Sequence, residues 1–218
     1  VEATPMRLIS LVLAVGSLAF AVPPQLAPAR FPEPAVSPRS WDLDFVYHTP
    51  RRIVVEVPGE AVPRAFWYMT YTVTINTGLD RPYLPAFELL TSDGRVIRSD
   101  LELSPSIFQA VARRQSRLPL QPALSLAGTI LQGEDYAKYS VAIWPEPMIE
   151  MGTFTVFVSG LSGDLTTRPD HDGKPTLDSP GHAIVLRKTR QLEFTVKGDE
   201  NFAQNDPVIL RGDSWVMR

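Results

Sequence analysis

Eleven residues, Phe66 to Asn76 (FWYMTYTVTIN), constrain the fold more than any other stretch of the chain. Trp67, Met69, Tyr71, Val73 and Ile75 alternate with Tyr68, Thr70, Thr72, Thr74 and Asn76. A period of two sends these sets to opposite faces of an extended chain. Aromatic and β-branched side chains suit a pleated surface. The pattern predicts a half-buried strand with the Trp67 set turned inward. Turn residues follow it, from Asn76 to Asp80 around Gly78.

The same logic predicts more strands. Tyr83 to Leu90 reads as a strand, Ser92-Asp93-Gly94 as a tight turn, and Arg95 to Arg98 as the hairpin partner. Arg52 to Val57, Lys138 to Trp144, Thr153 to Ser159 and Gln191 to Lys197 alternate in the same way. Trp41 to Tyr47 and Ala183 to Leu186 are shorter strands of this type. The total is about seven to nine strands. One helix interrupts them at residues 104–115. Ser104 suits the N-cap, Pro105 the first turn, and Ile107, Phe108 and Val111 form its apolar stripe. Arg113, Arg114 and Arg117 follow at its C-terminal end, where cations suit the dipole.

Antiparallel strands, close turns and one helix predict a mainly β fold: an immunoglobulin-like antiparallel β-sandwich, with a β-barrel as the alternative. The chain holds no cysteine among its 218 residues. Disulfides, zinc–thiolate sites, iron–sulfur clusters and thiol nucleophiles are therefore excluded within it, and packing alone must hold the domain. Its 21 prolines are about twice the usual share of roughly 5%. They mark loops and strand ends, because proline donates no backbone hydrogen bond. A net charge of −3 gives no electrostatic reason to expect nucleic acid.

The N-terminal stretch reads as an export signal. Met6-Arg7 is a short basic region, Leu8 to Leu18 an apolar run, and Ala19-Phe20-Ala21 a small-residue cleavage pattern. The run is shorter than the roughly 20 residues of a membrane span. The expected organisation is therefore residues 1–21 removed after Ala21, a Pro-rich leader over 22–40, and one β-sandwich over 41–218. The product is expected in the periplasm or outside the cell, with no membrane span after cleavage.

Segments of this chain carry a resemblance. The string from Phe66 to Asp100, with its Val73-Thr74-Ile75-Asn76-Thr77-Gly78 strand ending and its D-G-R hairpin turn, resembles immunoglobulin-like domains of bacterial secreted proteins. FWYMTYTV, ILQGED, VAIWP, FVSGLSG and the closing WVMR are similar to secreted proteins of planctomycete-type bacteria that carry no assigned activity. The likeness covers roughly residues 38–218. It implies export and a β-sandwich, and it brings no cofactor or ligand with it.

Candidate sites are sparse. Asp170-His171-Asp172-Gly173 resembles part of a calcium loop, in which alternating carboxylates wrap the ion. The distal glutamate of such a loop is missing, so a polar hairpin tip is the favoured reading. Gly212-Asp213-Ser214 lacks a following histidine and is no esterase serine block. Gly160-Leu161-Ser162-Gly163 is a turn rather than a nucleophile elbow. Arg211-Gly212-Asp213 spells an integrin-type tripeptide and is expected to be a turn.

Three function classes follow. The first is a non-enzymatic secreted module, structural or binding a protein partner, without cofactor. The second is a carbohydrate- or ligand-binding module, which needs exposed coplanar rings such as Tyr68 with Tyr83 or Trp144. The third is an enzyme, which needs convergence among His48, His171, His182, Asp170, Asp172 and Glu134. The first is preferred, and neither its partner nor its oligomeric state is specified by these patterns.

Overall fold

Among the residues that the computed structural model describes, strands account for 52% and helix for 11%. The structure describes residues 32–35, 40–101, 103–147, 152–169, 183–197 and 207–218. In chain order the strands are β1 (Asp44–Tyr47), β2 (Arg51–Val55), β3 (Arg64–Thr74), β4 (Arg81–Tyr83), β5 (Ala86–Thr91), β6 (Val96–Arg98), β7 (Gln121–Pro122), β8 (Gly128–Ile130), β9 (Lys138–Pro145), β10 (Thr153–Ser159), β11 (Leu165–Pro169), β12 (Ala183–Val196) and β13 (Val208–Met217). The helix α1 spans Pro105–Arg114, and a single helical turn α2 spans Ala123–Leu126.

Two sheets carry most of the strands. In the first, β1 and β2 share one edge of β3, and β9 pairs the other, with β7 beyond it. In the second the order is β6-β5-β10-β12-β13, and β11 continues the line of β10 along β12. A two-stranded sheet of β4 and β8 stands apart. Almost all pairings are antiparallel; β7 with β9 is parallel. The sheets are not closed into a barrel, so the barrel alternative is set aside.

The two sheets share one core. Trp67, Met69, Tyr71 and Val73 of β3 meet Phe87 and Leu89 of β5, Val156 and Val158 of β10, and Leu192 and Phe194 of β12. These are the inward residues that alternation predicts. The far face of β3 departs from expectation. Tyr68 is 1% exposed and Thr70 4%, so the strand is buried on both faces rather than on one. The cause is α1. Its Ile107 and Val111 pack with Tyr68, Phe66, Val141, Ile143, Ile53 and Val55 in a second core. The layers are thus helix, sheet, sheet.

Several boundaries also differ from expectation. Tyr83 to Leu90 is two strands in two sheets, because Leu84-Pro85 carries the chain across. The predicted strands 183–186 and 191–197 are one strand of 14 residues. The first strand begins at Asp44, not Trp41. Arg211-Gly212-Asp213, expected as a turn, lies inside β13. Thirteen strands appear among the described residues where fewer were expected, because β4, β7, β8 and β11 are too short or too polar to alternate visibly.

Ser104 caps α1 as expected: its Oγ accepts from the Ser106 N–H at 3.4 Å. Ser104→Ala should cost about 1 kcal/mol. Ile107→Ala should cost about 3 kcal/mol, because it opens a cavity under the helix. Urea unfolding of both variants measures the difference.

Candidate functional site

Strands β12 and β13 form a ribbon whose two faces differ. Alternation along β12 turns Lys188, Arg190, Leu192 and Phe194 inward. Leu192 and Phe194 belong to the shared core, and the two cations extend the same stripe to its margin. Cations there require partners, since removing a charge from water is costly.

The partners come from four segments. Lys188 is 2% exposed, and its Nζ lies 2.6 Å from Asp42 Oδ2 and 3.7 Å from Asp164 Oδ2. Its Nζ also sits 4.7 Å from the Trp215 ring centroid, a cation–π contact. Arg190 Nε meets Asp213 Oδ1 at 2.5 Å and flanks the other side of the charge row, 5.1 Å from the same ring. The Tyr47 hydroxyl donates to Asp213 Oδ2 at 2.9 Å, joining β1 of the first sheet to β13 of the second. Burial and this carboxylate raise the Tyr47 phenol to about 12.

The loop Gly160–Asp164 delivers Asp164. Gly160 has φ +83, and a Cβ there would collide with the Leu84 carbonyl. The loop pairs with the chain before β1. Leu43 N–H donates to the Leu161 carbonyl at 2.8 Å, and Gly163 N–H to the Trp41 carbonyl at 2.9 Å. Ser40 N–H donates to Asp164 Oδ1 at 2.7 Å. The expected turn after the Phe154 strand is therefore real, and it anchors residues 40–43.

The outer face of the second sheet is different. No helix covers it among the described residues. Arg218 lies 4.1 Å from the Phe157 ring centroid and 2.8 Å from Glu88, which also meets Arg98 at 3.3 Å. A groove of about 430 Å³ runs beside them, lined by Phe157, Gln191, Val216 and Arg218 together with Pro32, Glu33 and Pro34. Arg187 and Arg211 border neighbouring hollows on this face, and no carboxylate pairs with them among the described residues. Along the margin, β13 offers a ten-residue edge that no described strand pairs. Beyond it β11 and the start of β12 form an antiparallel arm with Leu165 and Val185 exposed.

The residues singled out in the sequence fare unevenly. Asp170, His171, Asp172 and His182 lie outside the described residues. His48 Nδ1 is 3.0 Å from Thr70 Oγ1 at a strand end. Glu134 sits in a short 3₁₀ turn, Glu134–Tyr136. Glu146 is engaged by Arg52 through two contacts of 2.5 and 2.8 Å and by Trp67 Nε1 at 3.2 Å. Among the described residues no group of three or more histidines or carboxylates is placed to hold a metal ion. The ring platform does not form: Tyr68, Tyr83 and Trp144 are all buried. Lys188, Arg190, Asp42 and Asp164 were not singled out, and Asp213 was read only as part of a turn, whereas it lies in β13. The available signal was two cations prolonging the Leu192–Phe194 stripe at a spacing of two.

Comparison with protein-family models, with curated proteins and with solved structures finds no match to this chain.

Burial raises the Tyr71 phenol to about 12 and drives that of Tyr83 well above its usual value. With Tyr47, three phenols thus hold their protons more tightly folded than unfolded. For Tyr47 and Tyr71 the stability this confers is complete below the unfolded value, near pH 10, and is lost as pH rises through about 12. A spectrophotometric titration should show these three still protonated at about pH 11. Their ionisation should coincide with unfolding as followed by circular dichroism. Ionisation of all six tyrosines at about pH 10 in folded protein would contradict this.

Proposed function

We propose that this chain is an exported, non-enzymatic module of immunoglobulin-like type, and that its second sheet docks an extended, carboxylate-bearing segment of a partner protein in the cell envelope. The observation that carries this reading is the ten-residue edge of β13 beside the groove at Phe157 and Arg218. An unpaired edge offers backbone donors and acceptors to an incoming strand. The groove supplies an aromatic–arginine pair, the chemistry favoured at the centre of protein interfaces. Arg187 and Arg211, without carboxylate partners among the described residues, give the occupant its sign. The face borders a protein whose net charge is −3, so this local excess of arginine is selective rather than general. The export pattern over residues 6–21 supports the compartment, and a second face that no helix covers among the described residues supports a role in contact.

Site-specific photo-crosslinking in intact producing cells tests this. A photoreactive residue at Val216 should yield one dominant adduct. The same residue at Leu124, which is 88% exposed on α2, should yield none. Val216→Lys next to the probe position, with the probe moved to Ser214, should cut the adduct several-fold, because lysine blocks edge pairing. Equal adducts from Val216 and Leu124 would overturn the proposal.

A further inference from the structure

We infer that residues 32–35 are a strap, held in cis across the end of β13, that competes with an outside chain for the strand edge at residues 215–218. Two hollows place the segment there. The groove described above is lined by Pro32, Glu33 and Pro34 and by four consecutive residues at the end of the chain, Trp215, Val216, Met217 and Arg218. Successive residues of a strand point to opposite faces. A single hollow that touches all four therefore lies at the strand edge rather than on one face. A second hollow, of about 100 Å³, joins Pro32, Glu33 and Ala35 to Met217 and to Asp164, Leu165 and Thr166. The segment thus reaches from the end of β13 to the start of β11. Pro32, Pro34 and Ala35 are half-buried there, and Glu33 is exposed.

The sequence of the segment suits a cover rather than a strand. Proline fixes its own φ and pushes the residue before it toward extended backbone. Pro32-Glu33-Pro34 is therefore stiff and extended before it touches anything, and little chain entropy opposes its seating. Prolines two apart also remove the N–H groups from one side of an extended chain. No backbone hydrogen bond joins residues 32–35 to β13 among the described residues. The segment shields the edge without extending the sheet, as prolines and covering loops do on natural edge strands. Packing rather than a hydrogen-bonded ladder holds it, so another chain can displace it.

A nearby anchor brings the strap back. Shortly beyond Ala35, Ser40 N–H donates to Asp164 Oδ1 at 2.7 Å, and the Trp41 carbonyl accepts from Gly163 N–H at 2.9 Å. A tether this short holds the strap near the edge at an effective concentration on the order of 1 mM. An outside chain must bind well enough to outcompete it, so weak and unspecific strands are refused. Glu33 lines the groove together with Arg218. It brings a carboxylate there, the sign that the docking reading gives to the outside segment. The competition rests on that docking reading, whereas the position of the strap does not.

Thiol labelling of the full chain tests the strap without any partner. The chain has no cysteine, so Val216→Cys supplies a single thiol in the groove. Its reaction with a neutral maleimide should speed up several-fold when Pro32→Lys and Pro34→Lys are added, because lysine loses the ring packing and is repelled by Arg218. Equal rates, with unchanged circular dichroism, would overturn the inference. Pro34→Cys combined with Val216→Cys should be joined within one chain by a short dimaleimide. Links found only between two chains, or none, would also overturn it. The competition is read in intact cells with the photoreactive residue at Ser214. Pro32→Lys with Pro34→Lys should raise its adduct several-fold. An unchanged or lower adduct, where the same substitutions free the Val216→Cys thiol, would remove the competition and leave docking intact. Absence of adduct from both forms would remove docking and the competition together, while the labelling rates still decide the strap.

Discussion

The burial of β3 on both faces is the constraint from which the remaining architecture follows. One set of its side chains, led by Trp67 and Tyr71, closes against the second sheet. The other, led by Phe66 and Tyr68, closes against α1. A strand used in this way must be central, which fixes β1 and β2 on one edge and β9 on the other. It also spends the longest helix among the described residues on the first sheet. Among the described residues the second sheet has one face against the core and one face that no helix covers. A fold without disulfides gains most from burying a sheet twice, since apolar burial contributes about 25 cal/mol per Å². The asymmetry between a fully clad sheet and a half-clad one is the structural basis for assigning contact to the second.

The charged row at the margin of the core works against that economy. Lys188 and Arg190 occupy inward positions where leucine or valine would pack without electrostatic cost. Buried pairs commonly add little net stability compared with apolar residues of the same volume. Their effect is geometric. Asp42, Asp164, Asp213 and Tyr47 come from different segments, and each can satisfy the cations only when the edge of the first sheet stands in one position over the second. Apolar packing alone tolerates sliding of one sheet over another, whereas a row of directed contacts does not.

The legible part of this fold is the part governed by period two. The strands β3, β9 and β10 could be read because their apolar residues alternate over seven or more positions. The cap at Ser104 and the hairpin turn at Gly94, with φ +87, are local chemistry and could be read as well. The burial of Tyr68 could not. Whether the polar-looking face of a strand is covered depends on a helix some 40 positions away. The charged row was also hidden, because Asp42 and Lys188 are 146 positions apart and neither lies in a motif. Residues with a motif, such as Asp213 after Arg211-Gly212, were misread for the converse reason: a short string says nothing about the strand that contains it.

That tripeptide shows how local pairing decides what a string can present. Residues two apart on a regular strand point to the same side, so Arg211 and Asp213 would stand together. In β13 they do not. Glu193 pairs with Gly212 and Phe194 with Leu210, which leaves Arg211 as the extra residue of a bulge. The bulge changes the phase of the strand. Arg211 then reaches Thr195 Oγ1 at 3.4 Å on the outer face, while Asp213 turns inward to Arg190 and Tyr47. Arginine and aspartate are thus on opposite sides of one sheet and cannot act as a single recognition unit. Each serves the face to which it is turned: Arg211 adds charge to the open surface, and Asp213 completes the row that positions the two sheets. The bulge also bends the exposed edge, which limits unspecific pairing while leaving the stretch from Ser214 to Met217 regular enough for a chosen strand.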